Sequence, residues 1–504
     1  MFENSILGKV YSFYLYSELY KILRAIYIFF SNAYNHSSFK KILIGESKFS
    51  GWWRETVIAK FVDRIVLFFS TVIQRIIHFL TSAADGSIVV KLCRGSFVLQ
   101  YDVFFSLLVF GMFLIPHELW KNGMGIVFGI MTIVIQFVNN NFHNIECNVH
   151  KSTGLPFAIF VVTCLWSVCI ALVKSDSIRI LIFFVAAFAF MFAAALYLSD
   201  TERLNKLLFA VYCITIFMSV IAIAQRILGI EPMEFYTDLT IFKNQPGRVF
   251  STVENPNNFA EVLVLFTPLA VSFAAGIKDN TRKFIASIAL LLPVVAMLMT
   301  YSRSGWLSTA LCVALYVYLT NKRLLPCIGL VALLCIPFLP ASIMERLLGI
   351  FNTEDSSASF RIELWKSTLA MLSDDLNWLR GIGSGVNNYI MYLLPYTDLT
   401  ANAGIVHSQM LYMELVVENG LLGLLSFGWF FFEQIRDAFV VIYRKTDDMV
   451  NRTLVACVSS FIGIAILCFF EYIWFYPRVL YAYFIVMGIM IGSIRLGRKC
   501  INEK

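Results

Sequence analysis

Arg303 lies in MLMTYSRSGWLSTA, a turn between two apolar runs so short that its guanidinium has little reach into water. A planar fork of donors in that position suits a phosphate or diphosphate, which it can grip through two hydrogen bonds at once. Arg248 lies in NQPGRVFSTVENPNNFAE, a Gly-, Pro- and Asn-rich re-entry into another apolar run, and can face the same space. Arg226 closes one apolar run and Arg478 opens another, while Glu261, Glu414, Glu418 and Glu471 also fall in or near the ends of such runs. Taken singly, each is explained by snorkelling or by a structural ion pair. As a set they point to a polar cavity, because ionisable groups inside apolar spans are costly and usually face one.

His407 is the histidine of the long polar stretch 341–409, with Glu414 and Glu418 following it one and two turns into the next apolar run. Imidazole is the usual general base near neutral pH, although a lone histidine is often structural. In the same stretch Asp355-Ser356-Ser357 reads as the cap of a helix over about 358–372, with Arg361, Trp365 and Leu369 on one stripe. GIGSGVNNYIMYLL then reads as a glycine-rich turn opening a helix. Such a turn is either plain turn chemistry or an anion cradle.

These residues have to be held by membrane-spanning elements. Hydrophobic residues make up 59% of the 504, charged residues 14%, and the mean hydropathy is +0.74. A soluble chain carries roughly 25% charged residues, so the composition excludes an ordinary soluble domain. The formal charge of +7 is a topology signal rather than a nucleic-acid patch. The expectation is an all-α polytopic membrane protein. About twelve spans of ~20 residues fall near 102–117, 122–138, 156–174, 177–198, 205–225, 258–276, 284–301, 304–320, 323–340, 410–433, 453–471 and 478–495.

The Lys and Arg distribution orients these spans. With the N-terminus inside, Arg203, Lys206, Lys278, Arg282, Lys322, Arg436, Arg452, Arg495 and Arg498 all fall on the inner side, and both termini are cytoplasmic. The stretch 341–409 then becomes a large outer loop between spans nine and ten, with a second outer loop at about 226–257. Residues 1–100 read as basic, interfacial amphipathic helices, either a plain cytoplasmic extension or a docking surface. The four segments are thus 1–100, 101–340, 341–409 and 410–504. None of the 11 cysteines has zinc spacing or falls in an expected outer loop, so neither a disulfide framework nor a structural metal is expected.

Three segments resemble the O-antigen ligase and O-antigen polymerase family. RVFSTVENPNNFAEVL is similar to its R…F…NPN-F-A element, and TYSRSGWLS to its S-R-small element. RIELWKSTLAML…GIGSGVNNY…HSQMLYMELVVENGLLG is similar to its large outer loop and the span that follows. The resemblance covers roughly residues 100–495. It implies a GT-C-like glycosyltransferase that moves a glycan from an undecaprenyl-diphosphate-linked oligosaccharide to a glycan or cell-surface acceptor. The reaction would take place at the outer face of the bacterial cytoplasmic membrane, with no cofactor and no nucleic-acid partner.

Carried over by motif, Arg248 and Arg303 would hold the diphosphate, Arg361 would assist from the loop, and His407 would act near the acceptor hydroxyl as base or positioner. Arg226, Asn255, Asn257, Gln409 and Glu418 complete the expected substrate-binding set. One departure stands out: Gln409-Met410 occupies the place of His-Asn in many members, and Gln409 cannot act as a base. If the diphosphate is the leaving group, arginine clamping would be the larger contribution. The chain also lacks an Asp-x-Asp metal motif, which gives the expectation of a metal-independent enzyme. Two other readings compete. A twelve-span transporter or flippase of a lipid-linked or anionic substrate would call for an internal repeat and charges near the midplane, neither of which the sequence presents. A structural scaffold would leave the arginine set unexplained.

Overall fold

The computed structural model describes residues 98–142, 150–230, 247–348, 356–397, 406–444 and 446–502, with scattered residues before position 98. Expectations for most of residues 1–97, for Asp355 and for the 231–246 part of the second loop lie outside the described residues. Every regular element described is helical. They are α1 (Val98–Phe110), α2 (Asn122–Phe142), α3 (His150–Ile170), α4 (Lys174–Tyr197), α5 (Thr201–Leu228), α6 (Pro256–Gly276), α7 (Asn280–Ala289), α8 (Leu291–Met299) and α9 (Arg303–Asn321). They continue with α10 (Leu325–Cys335), α11 (Ala341–Leu348), α12 (Ser356–Ser373), α13 (Asn377–Arg380), α14 (Val386–Leu393), α15 (Leu411–Tyr443), α16 (Asp448–Leu467) and α17 (Pro477–Asn502).

By length and composition, nine of the described segments can cross a membrane, and Tyr101–Phe113 and Gly154–Ile170 are shorter apolar helices. This is a multi-pass, all-helical membrane protein. Each expected span falls on one of these segments, though those at 284–301 and 410–433 are broken, the latter at Gly420. The 284–301 span is α7 and α8, joined at Leu290. Residues 303–338 form one apolar stretch that is interrupted at Lys322–Leu324, where Asn321 caps the turn by accepting the Arg323 N–H.

α17 is the pillar of the bundle. Its spanning window is 94% buried, against 6% for that of 303–338, whose α9 part still buries Trp306, Ser308 and Cys312 in the bundle. α17 packs on α4 and α16, α6 packs on α16 and α5, and α15 packs on α3. Close approach of α17 to α4 depends on small residues, as it commonly does between helices in lipid. A Cβ on Gly488 would sit 2.3 Å from the Met191 carbonyl, and α4 contributes Ala187, Ala193, Ala194 and Ala195 to the buried core.

The two ends of the bundle differ. At one, Asp102 meets Lys206 at 2.7 Å and Arg203 at 3.9 Å, and Arg495 donates to the Ala195 and Leu198 carbonyls. Asp437 pairs there with Arg436 and Arg498. The opposite end is where the polar stretches converge. Thr252 donates to the Phe113 carbonyl, Gln225 grips the Ser251 backbone, and Arg478 reaches both Glu254 and the Ile115 carbonyl.

The segment 356–397 folds into a small helical layer at that end, with its own core of Leu364, Met371, Ile382, Tyr389 and Leu393 against Val417 of α15. Its glycine-rich turn is where it docks. The Ile382 N–H donates to the Val417 carbonyl at 2.7 Å. Gly420, at φ 71°, breaks the helical geometry of α15 so closely against this turn that a Cβ there would lie 2.2 Å from the Leu379 carbonyl. Gly383 and Gly385 press on Ala171 and Asp176 in the same way. The turn thus acts as a packing device between segment and bundle.

Candidate functional site

The turn Thr300–Arg303 organises the polar end. Tyr301 adopts a left-handed backbone (φ 52°), a conformation that costs a non-glycine residue about 1–3 kcal/mol and tends to be retained where it serves a site. The consequence here is that two adjacent carbonyls each hold an arginine. Thr300 O accepts from Arg248 Nε at 2.7 Å, and Tyr301 O accepts from Arg346 Nε at 3.4 Å. The Tyr301 hydroxyl meets Ser342 Oγ at 3.0 Å, which ties the turn to α11. Ser302 then caps α9 by accepting the Gly305 N–H, and Arg303 is the first residue of that helix.

Arg248 is 5% exposed. Burial and the nearby Arg346, Arg361 and Arg303 draw its guanidinium down to about 9, opposed by Glu471. Among the described residues, Arg303, Arg346 and Arg361 thus lie close to Arg248, and Glu471 offsets their charge there. Arg248 stays cationic at neutral pH, and an anionic ligand would relieve its environment. Its outer edge is fixed by Asn257 Oδ1, which accepts from Nη2 at 2.6 Å, while Asn257 Nδ2 donates to Glu471 Oε1 at 3.0 Å. The same Glu471 oxygen accepts from Arg361 Nη2 at 2.9 Å. Glu471 follows the end of α16 at Leu467, outside the spanning helix. Burial raises its carboxyl above the ordinary range, while Arg361 and Arg248 act to lower it.

From α12, Arg361 Nε donates to Gln409 Oε1 at 2.9 Å, and one turn later Trp365 Nε1 donates to the Ser408 carbonyl at 3.0 Å. Leu369, the third member of the expected stripe, is exposed. Gln409 is also left-handed (φ 56°), and its backbone N–H donates to His407 Nδ1 at 3.0 Å. His407 lies against Tyr472 and Phe475, with ring centroids 5.3 and 4.6 Å away. Burial, with Arg361 nearby, depresses its imidazole to about 3. The ring is therefore neutral, with Nδ1 engaged as an acceptor and the proton on Nε2. In this state it can orient a hydroxyl by donating to it.

The loop backbone is anchored from beneath by α15, where Glu414 accepts the Ser408 N–H at 2.8 Å and Glu418 accepts the Tyr472 hydroxyl at 3.1 Å. Glu418 is thus two residues removed from the arginine cluster, behind Tyr472 and His407. Arg226 and Asn255 also have structural partners. Arg226 Nη1 donates to the Gly247 carbonyl, and Asn255 caps α6 by accepting the Asn258 N–H. Of the sequence-expected residues, then, Arg248, Arg303, Arg361, Asn257, Gln409 and His407 come together, while Arg226, Asn255 and Glu418 support from the edge. Sequence reasoning passed over Arg346. Its signal was the Glu345–Arg346 pair that opens the polar stretch directly after an apolar run.

Residues 288–428 match the family described as O-Antigen ligase. Over that segment the chain is similar to the O-antigen ligase family. The match takes in Arg303, Arg346, Arg361, His407, Gln409, Glu414 and Glu418. Arg248, Asn257 and Glu471 reach the same site from outside it. No curated protein matches the chain. O-antigen ligase-type domains belong to surface polysaccharide biosynthesis, in which a lipid-linked glycan and a glycan acceptor meet in a membrane.

Proposed function

We propose that this protein transfers a glycan from an undecaprenyl-diphosphate-linked donor to an acceptor hydroxyl at the outer face of a bacterial cytoplasmic membrane, as a surface-polysaccharide polymerase or a ligase to a cell-wall acceptor. The observation that carries the reading is the convergence of Arg303, Arg346 and Arg361 on Arg248, with Glu471 paired to Arg361 and the His407 ring beside it. The four arginines outnumber the carboxylates Glu471 and Glu261, so the cluster carries a net positive charge that suits a diphosphate. Preorganised cations aimed at a leaving diphosphate stabilise the charge that develops as the glycosidic bond breaks, without reorganising at the moment of reaction. The diphosphate leaves as an anion already neutralised by arginine, so the step needs no metal. A chelator should leave turnover intact.

Arg248→Ala and Arg303→Ala should each abolish polymer or ligated product while the protein remains in the membrane. Normal product from both variants would overturn the reading. Purified protein given an undecaprenyl-diphosphate oligosaccharide, with products sized by chain length, separates polymerase from ligase. A carrier of the same substrate would move it across the bilayer and yield no longer glycan.

A further inference from the structure

Among the described residues, Glu471 has two side-chain partners, and both belong to the arginine clamp. Its Oε1 accepts from Arg361 Nη2 at 2.9 Å and from Asn257 Nδ2 at 3.0 Å, and Asn257 in turn takes Arg248 Nη2 at 2.6 Å. The carboxylate therefore sits where an anionic ligand of these arginines would compete with it. Its carrier segment, between α16 and α17, is tied down on both sides. The Glu471 N–H donates to the Leu467 carbonyl, and the Tyr472 hydroxyl is held by Glu418. The charged groups facing it are Arg361 from α12, Arg248 from the turn before α6, and Glu261 from α6.

The proton balance of the transfer leaves a gap that this residue can fill. His407 Nδ1 already accepts a backbone N–H, and Gln409 has no basic atom. Glu414 and Glu418 are occupied behind the ring by Ser408 and Tyr472. We propose that Glu471 takes the proton of the attacking acceptor hydroxyl, freed to do so when the donor diphosphate draws Arg361 and Arg248 onto itself. The acceptor oxygen forms the new bond to the anomeric carbon, and the bond from that carbon to the phosphate oxygen breaks with its electron pair leaving on the diphosphate. The hydroxyl proton ends on Glu471. His407 Nε2 orients the hydroxyl and transfers no proton. The same carboxylate thus holds the clamp together before the donor arrives and becomes more basic once its cationic partners turn to the donor.

This inference rests on the glycan-transfer reading, and the test keeps the two apart. Full-length wild type, Glu471→Gln and Glu471→Asp are compared in nanodiscs for binding of polyprenyl diphosphate and for single-turnover transfer across pH. Glu471→Gln keeps the shape and removes the competing charge. It should bind polyprenyl diphosphate at least as tightly as wild type while transfer slows by about 10²- to 10⁴-fold, the usual span of a lost general base. Glu471→Asp should recover part of the rate and move the acid limb of the pH profile. Transfer by Glu471→Gln within about threefold of wild type, an acid limb unmoved in Glu471→Asp, or loss of binding together with rate would each overturn the role. If wild type itself forms no product from lipid-diphosphate glycans, the glycan-transfer reading fails, and this proposal fails with it.

Discussion

The Gln409 backbone N–H points into Nδ1 of His407, two residues before it, at 3.0 Å. That contact fixes the tautomer and consumes the one lone pair a neutral imidazole would use as a base, while burial beside Arg361 holds the ring near 3.

A pH dependence of stability follows. Unfolding returns the imidazole to about 6.5, so below that pH the unfolded chain binds a proton the folded chain refuses. His407 costs nothing above about 6.5, and stability is lost progressively as pH falls from there toward about 3. Thermal unfolding of wild type should show that acid slope. His407→Asn, whose side-chain oxygen can still accept the Gln409 N–H, should show less of it. A His407 titration measured near 6.5 in the folded protein would contradict this assignment.

Gly420 offers a test of how the polar layer docks. Its φ is 71°, and the Leu379 carbonyl lies 2.2 Å from the place a Cβ would take, so there is no room for alanine. Gly420→Ala should cost about 1–3 kcal/mol in backbone strain alone and should expose segment 377–385 to protease. Gly428→Ala, on the same helix with open space around it, should leave both the unfolding temperature and the cleavage pattern unchanged.

Much of this was legible from residue types. Position beside apolar runs announced Arg248 and Arg303, because placing such a charge there is costly without a task or a partner, while Arg361 came from the family resemblance. Composition and hydropathy were enough for the spans, which depend only on length and apolarity. What stayed hidden depends on tertiary placement. The Glu345–Arg346 pair marks where the polar stretch opens, but Arg346 reads there as a helix end until the Tyr301 carbonyl is seen to hold it. Glu471 reads as one more carboxylate near a span until α16 is seen to end at Leu467. The left-handed turns at Tyr301 and Gln409 carry no glycine to mark them. The break at Leu290 comes within a continuous apolar run, where hydropathy is silent about helix ends.

Arg346 should behave as a clamp member. Its guanidinium is held by the Tyr301 carbonyl beside Arg248, and a charge-assisted hydrogen bond is worth about 1.5–3 kcal/mol. Arg346→Ala should therefore weaken polyprenyl diphosphate binding by about 10- to 100-fold, seen as a raised KM for the donor. Arg346→Lys, which keeps the charge but loses the planar fork, should recover only part of that affinity. Donor affinity equal to wild type in Arg346→Ala would remove it from the site.

Asn255 and Asn257, two positions apart, separate structural from functional roles most cleanly. Asn255 accepts the Asn258 N–H as the cap of α6, so Asn255→Ala should cost about 1 kcal/mol of stability with donor affinity unchanged. Asn257 bridges Arg248 to Glu471 with its carbonyl turned to the cation and its amide turned to the anion. Asn257→Ala removes the bridge and should loosen donor binding modestly. Asn257→Asp should be far worse despite being nearly isosteric. It replaces a donor to Glu471 with a second negative charge and gives Arg248 an internal counterion that a diphosphate must displace. Binding of polyprenyl diphosphate across the three variants should rank Asn255→Ala above Asn257→Ala above Asn257→Asp. An Asn257→Asp protein that binds as well as Asn257→Ala would mean that the anion does not sit against this face of Arg248.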